Sequence, residues 1–85
     1  MKKIIESLEA IAAAAEKEPE KTEQAIKAAR GLIKDQELPL LKELDAELAT
    51  WQSKLSVILK EPVGKKGMAK HARFWAEKLR EARVN

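Results

Sequence analysis

The chain has no cysteine, and this single absence removes disulfide scaffolds, zinc fingers and thiol chemistry together, along with any need for an oxidising compartment. Aromatic residues amount to 4% of it, and it holds three glycines and three prolines. β-Branched residues other than isoleucine are sparse, so sheet folds are disfavoured. Long apolar runs are missing too. The longest, Ala10 to Ala15, falls far below the ~18 residues of a membrane span. The opening Met1-Lys2-Lys3-Ile4-Ile5 has the form of a secretory signal, yet Glu6 and Glu9 stand where its apolar stretch would have to continue. Neither export nor membrane insertion is expected, and the cytoplasm is the expected location.

What is present is alanine, leucine, glutamate and lysine, with 36% of the 85 residues charged. That composition favours helix nearly everywhere, and the length allows one small all-α domain spanning residues 1–85. Prolines and the later glycines divide it into four helical stretches. Over 2–17, Ile4, Leu8, Ile11 and Ala15 recur at helical spacing with Ile5 and Ala12 beside them, which draws one apolar stripe. Glu18-Pro19 ends that helix, because proline disfavours helical geometry in the residue before it and suits the first turn of the next. A second helix is predicted over 19–35 on Ile26, Ala29 and Ile33, with Gly31 inside it read as a point of close approach by a neighbour. The third, 39–60, begins at Pro39 and spaces Leu41, Leu44, Leu48, Trp51, Leu55 and Ile58 as an unbroken a/d pattern. It is expected to be the central helix, with Val57 off the stripe. Residues 61–67, Glu-Pro-Val-Gly-Lys-Lys-Gly, read as a loop, and the fourth helix, 68–83, carries Met68, Ala72, Trp75, Leu79 and Ala82 inward. Four amphipathic helices on short connections predict a small antiparallel four-helix bundle. A three-helix core with one helix exchanged between protomers is the structural alternative, since a domain of this size buries only about 60–65% of its unfolded surface.

Histidine chemistry would have to pass through His71, the one histidine. A nucleophilic triad lacks a cysteine or a serine on a glycine elbow: Ser7, Ser53 and Ser56 fall within predicted helices. The Glu-x-x-His pairing of di-iron bundles is absent, because Met68 stands three before His71. No metal and no cofactor are expected. Ala69-Lys70-His71-Ala72 resembles a histidine phosphotransfer site over those few residues, but such sites keep small residues after the histidine, where Phe74 and Trp75 stand here. Glu43 with Glu47 and Glu77 with Glu81 are like-charge i,i+4 pairs read as solvent-facing, so no acid/base dyad is predicted.

Charge is more informative. Residues 1–60 hold ten Lys/Arg against eleven Asp/Glu, whereas 61–85 hold seven against three, so the net +3 is concentrated in the last stretch. Lys65 and Lys66, set before the predicted start of the fourth helix, mark an anion-accepting end. Lys66, Lys70, Arg73 and Arg80 share one side of that helix, with Phe74 beside them. Trp51 and Trp75 fall on the core stripes, leaving Phe74 as the candidate exposed anchor. The predicted contact set is therefore Lys65, Lys66, Lys70, Arg73 and Phe74. The function expected from these features is a non-enzymatic helical protein–protein interaction module, self-associating or binding an acidic partner. A nucleic-acid-associated protein using the basic C-terminal helix is the first alternative and a histidine phosphotransfer domain the second.

Overall fold

The computed structural model describes residues 2–83; residues 1, 84 and 85 of the predicted domain lie outside it. The chain forms α1 (Lys2–Lys17), a 3₁₀ turn (Pro19–Lys21), α2 (Thr22–Ile33), α3 (Pro39–Ile58) and α4 (Pro62–Arg83). The four helices make an all-α bundle measuring 37 × 20 × 16 Å. Each packs against its two neighbours in the ring α1-α2-α3-α4, so α1 and α3 sit on a diagonal without close backbone approach among the described residues. Glu16 with Arg73 and Glu9 with Arg80 pair across α1 and α4 in opposite chain directions, which makes those helices antiparallel. All four contribute to one core within the chain.

The centre of the packing is α1 rather than α3. Six of its residues, Ile4, Ile5, Leu8, Ile11, Ala12 and Ala15, are buried. α1 buries Ala12 and Ala15 and α4 buries Ala69, Ala72 and Ala76, and small side chains of this kind let the two packed helices come close. The predicted α3 seam is buried at Leu41, Leu44, Leu48 and Trp51, but Leu55 and Ile58 are only partly covered. Leu55 borders an open groove between the end of α3 and Pro19, Glu20 and Glu23, which leaves it partly uncovered. Val57 is 70% exposed, off the stripe as its spacing requires.

Three boundaries differ from the sequence reading. The 19–35 stretch opens as a 3₁₀ turn, with the Lys21 amide on the Glu18 carbonyl, and becomes α-helical only at Thr22. It ends at Ile33, where the Gln36 amide bonds the Ile33 carbonyl, and α3 ends two residues early at Ile58. Leu38, before Pro39, is extended at φ −63° and ψ 130°, which brings the chain into α3 with proline at its first position.

The larger correction is at 61–67. It is not a loop: α4 begins at Pro62, six residues before the predicted start. Proline is well placed there, since its missing N–H and fixed φ suit a first turn. The two glycines that suggested a loop are both helical, and no glycine among the described residues has positive φ. Gly64 is required by contact instead. A β-carbon there would lie 3.0 Å from the Ile58 carbonyl carbon and 3.3 Å from its Cα, with the carbonyl oxygen nearer still. The first turn of α4 therefore rests on the last turn of α3, backbone against backbone. Gly31 is the reverse case: no atom lies within 4 Å of where its side chain would begin, so the close approach expected there is absent.

Candidate interaction surface

Extending α4 back to Pro62 changes the setting of the predicted contact residues. Lys65 lies in the opening turns, half-buried, its amide bonded to the Glu61 carbonyl at 3.2 Å. Lys66 is exposed in the same turn. The free amides of this helix start thus belong to Val63 and Gly64 rather than to residues near 68, since Pro62 has no N–H and the Lys65 amide is bonded. Lys70 is exposed on the outer face, and Phe74, one turn on, is 57% exposed.

Arg73 is turned away from that face. Its guanidinium reaches α1 and holds both oxygens of Glu16 in a bidentate pair. This hydrogen bonding raises the Arg73 pKa and holds the Glu16 carboxyl below its ordinary value. Arg80 repeats the contact two turns later, reaching Glu9 on α1 and Glu77 on α4, and its pKa is raised chiefly by the bond to Glu9. The side of α4 that the sequence shows as one basic row is therefore two rows. The arginines face α1 and are matched by carboxylates. The lysines face outward, and Lys66, Lys70 and Lys78 have no carboxylate partner among the described residues.

Around Phe74 the outward row forms an aromatic ridge. His71, one turn before, meets the ring edge-on at 6.5 Å and 67°, and Trp75 does so at 6.5 Å and 77°. Lys78 places its ammonium 5.7 Å from the Phe74 ring centre and 4.9 Å from that of Trp75, within reach of a cation–π attraction. Lys78 was not among the predicted contact residues, although its i+4 and i+3 spacings from Phe74 and Trp75 are readable in the sequence.

Behind the ridge, Glu47 of α3 ties the surface to the bundle. It was read as solvent-facing, but its side chain is only 29% exposed. One carboxylate oxygen accepts the Trp75 indole N–H, and the other lies 3.4 Å from His71 Nδ1. A core tryptophan needs an acceptor for its N–H, which is the signal that could have marked a carboxylate on a facing helix. Trp75 itself is 7% exposed and Trp51 8%, so both are core residues. With Glu47 holding Trp75 and His71 from below, Phe74 presents an exposed apolar ring beside Lys78.

Among the described residues there is no group of three or more His, Asp or Glu side chains arranged to hold a metal. No helix among them is long and apolar enough to cross a membrane. No known protein family, curated protein or solved structure matches the chain.

Proposed function

We propose that the chain is a non-enzymatic interaction module that docks an acidic protein segment on the outer face of α4. The observation that carries this reading is Phe74, more than half exposed, among the outward lysines Lys66, Lys70 and Lys78. An aromatic anchor with a cationic rim matches a partner that offers an apolar residue between carboxylates. The lysines supply steering and register, and the ring supplies affinity. Arg73, occupied by Glu16, positions α4 against α1 instead of meeting the partner.

Selection of a displayed random-peptide library on the immobilised protein tests this. Enriched peptides are expected to combine Asp or Glu with Leu, Phe or Trp. Phe74→Ala should weaken the best of them about 30-fold, as expected for truncating a central aromatic anchor worth about 2 kcal/mol. Lys70→Glu with Lys78→Glu should weaken them further as salt is lowered. Enrichment of peptides without acidic residues, or binding indifferent to Phe74→Ala, overturns the reading. Tight, sequence-independent retention on single-stranded DNA, lost in the lysine variant and kept in Phe74→Ala, would establish the nucleic-acid alternative in its place.

A further inference from the structure

On the opposite part of the bundle, α2 and α3 part to leave an open cleft of about 450 Å³ lined by Lys27, Arg30, Gly31, Lys34, Asp45 and Gln52. Lys27, Arg30 and Gly31 of α2 and Lys34 at its C-cap stand at i, i+3, i+4 and i+7, so three cations and a glycine share one face. Gly31 keeps the middle of that face empty, with no atom within 4 Å of its missing side chain. Arg30 crosses the cleft with its guanidinium pinned on α3: Nε donates to Asp45 Oδ1 at 3.0 Å and Nη1 to Gln52 Oε1 at 2.9 Å. Those two bonds use two of the five guanidinium donors. They also neutralise the single carboxylate of the lining and leave the Gln52 amide N–H groups as further donors. Lys34 has no ion-pair partner among the described residues, and Lys27, 63% exposed, has only Glu23, 4.0 Å away on its own helix.

We propose that this cleft is a binding site for a compact polyphosphate anion, a chain of two or three linked phosphates, either free or as the tail of a nucleotide. Lys27 and Lys34 are separated by seven residues, about 10.5 Å along the helix axis, a span that suits a short linked chain. Arg30 lies between them, pre-oriented by Asp45 and Gln52, and a planar guanidinium fork matches phosphate oxygens. Gly31 leaves the space between these cations open for the anion. The sequence held the same residues, but Arg30 reads there as one more exposed cation until Asp45 and Gln52 fix its direction.

The test is an NMR titration of the intact chain with sodium tripolyphosphate, with ATP, AMP, orthophosphate and a short single-stranded oligonucleotide as parallel arms. Saturable shifts are expected at the Gly31 amide, the Arg30 Nε–H and the Gln52 side-chain amide. Tripolyphosphate should bind at least about tenfold more tightly than orthophosphate, a difference set by the number of phosphates engaged. ATP binding like tripolyphosphate, and AMP like orthophosphate, would show that a nucleotide tail suffices; tripolyphosphate alone would restrict the site to the free anion. Gly31→Glu places a carboxylate in the cleft with space to hold it and should abolish the shifts, while circular dichroism shows helicity retained. Lys34→Ala, on an exposed residue, should weaken binding about threefold to tenfold. A flat titration, equal shifts at Lys66 and Lys70, unchanged binding by Gly31→Glu, or an oligonucleotide that outcompetes tripolyphosphate at these residues overturns the proposal.

Discussion

Substituting each of the three glycines by alanine separates the structure from the loop reading of residues 61–67 by sign as well as size. In a helix interior, glycine to alanine gains roughly 0.5–1 kcal/mol, through propensity and a less flexible unfolded chain. At Gly31 and Gly67 nothing lies within 4 Å of the new methyl group, so both variants should show that full gain. At Gly64 the methyl would meet the Ile58 carbonyl, with the carbon at 3.0 Å and Cα at 3.3 Å, both inside the 3.4 Å where ordinary contact begins. The obstacle is backbone and cannot rotate away, so α4 must separate from the end of α3 by on the order of 1 Å, a form of overpacking that costs about 1–3 kcal/mol. Set against the propensity gain, Gly64→Ala should be destabilising by up to about 2 kcal/mol, leaving the Gly64 and Gly67 variants roughly 1–3 kcal/mol apart. In a domain of this size each kcal/mol moves Tm by about 4–8 °C, so thermal melts followed by circular dichroism resolve the difference. If Gly64→Ala gains stability as Gly67→Ala does, the first turn of α4 does not rest on α3 and 61–67 is the loop its composition suggests.

Other perturbations test the core and its edges. Leu48 is fully buried, so Leu48→Ala should cost about 2–5 kcal/mol in a urea titration, whereas the half-covered Leu55 should cost distinctly less and the exposed Val57 within ~0.5 kcal/mol; equal losses at all three would place the α3 stripe on the wrong face. Thr22 is fully buried and its hydroxyl has no hydrogen-bond partner among the described residues; Thr22→Val keeps the shape, removes that group and should stabilise by about 1 kcal/mol, and a loss instead would reveal a partner for the hydroxyl. The Glu16 carboxyl titrates below its ordinary 4.5, first because of its bond to Arg73, so the stability it adds is present above 4.5 and is lost as the pH falls through the lowered value. The gap between the parent and Glu16→Gln should therefore close on acidification, and a gap that persists in acid would separate the α1–α4 contact from ionisation.

Much of the fold was legible because it rests on apolar spacing, which a sequence displays directly. The α1 stripe, the α3 seam as far as Trp51 and the inward Trp75 all lie where their 3.6-residue periodicity puts them. The features that were not legible depend on relations between helices. Nothing near Ala69 or Ala76 distinguishes a buried alanine from an exposed one until α1 is found against them, so the α1–α4 centre of the bundle was hidden. Gly64 and Gly67 have the same local chemistry, and only the Ile58 carbonyl makes one a contact and the other a surface residue. The loop reading failed because propensity at Pro62–Gly67 is a weak local term, overridden when the turn packs on α3 and carries Met68 and Ala69 into the core. Within the candidate contact set, Phe74 and the lysines were readable as outward positions, whereas the engagement of Arg73 by Glu16 was not.

The arginines and lysines divide along the same line. Arg30, Arg73 and Arg80 each join two helices: Arg30 links α2 to α3, and the other two link α4 to α1. The lysine pairs that form, Lys21 with Glu18 and Lys27 with Glu23, are local, three or four residues apart. A guanidinium is less strongly hydrated than an ammonium and binds a carboxylate through a rigid fork, so it loses less on being held between helices, while an ammonium on a flexible stem keeps its water. The positive excess of residues 61–85 is therefore not one basic face. Its arginines at 73 and 80 are consumed in closing the bundle on the acidic side of α1, and the lysines are left exposed. The acidic partner proposed for α4 would meet lysine steering around an aromatic anchor, which favours fast, salt-sensitive encounter with the affinity in Phe74. Arg30 joins two helices and lines an open cleft whose one carboxylate, Asp45, it already neutralises, whereas the cleft beside Arg73 and Arg80 carries Glu9 and Glu77. That is why the α2–α3 cleft, and not the row of cations on α4, carries the geometry of a small-anion site.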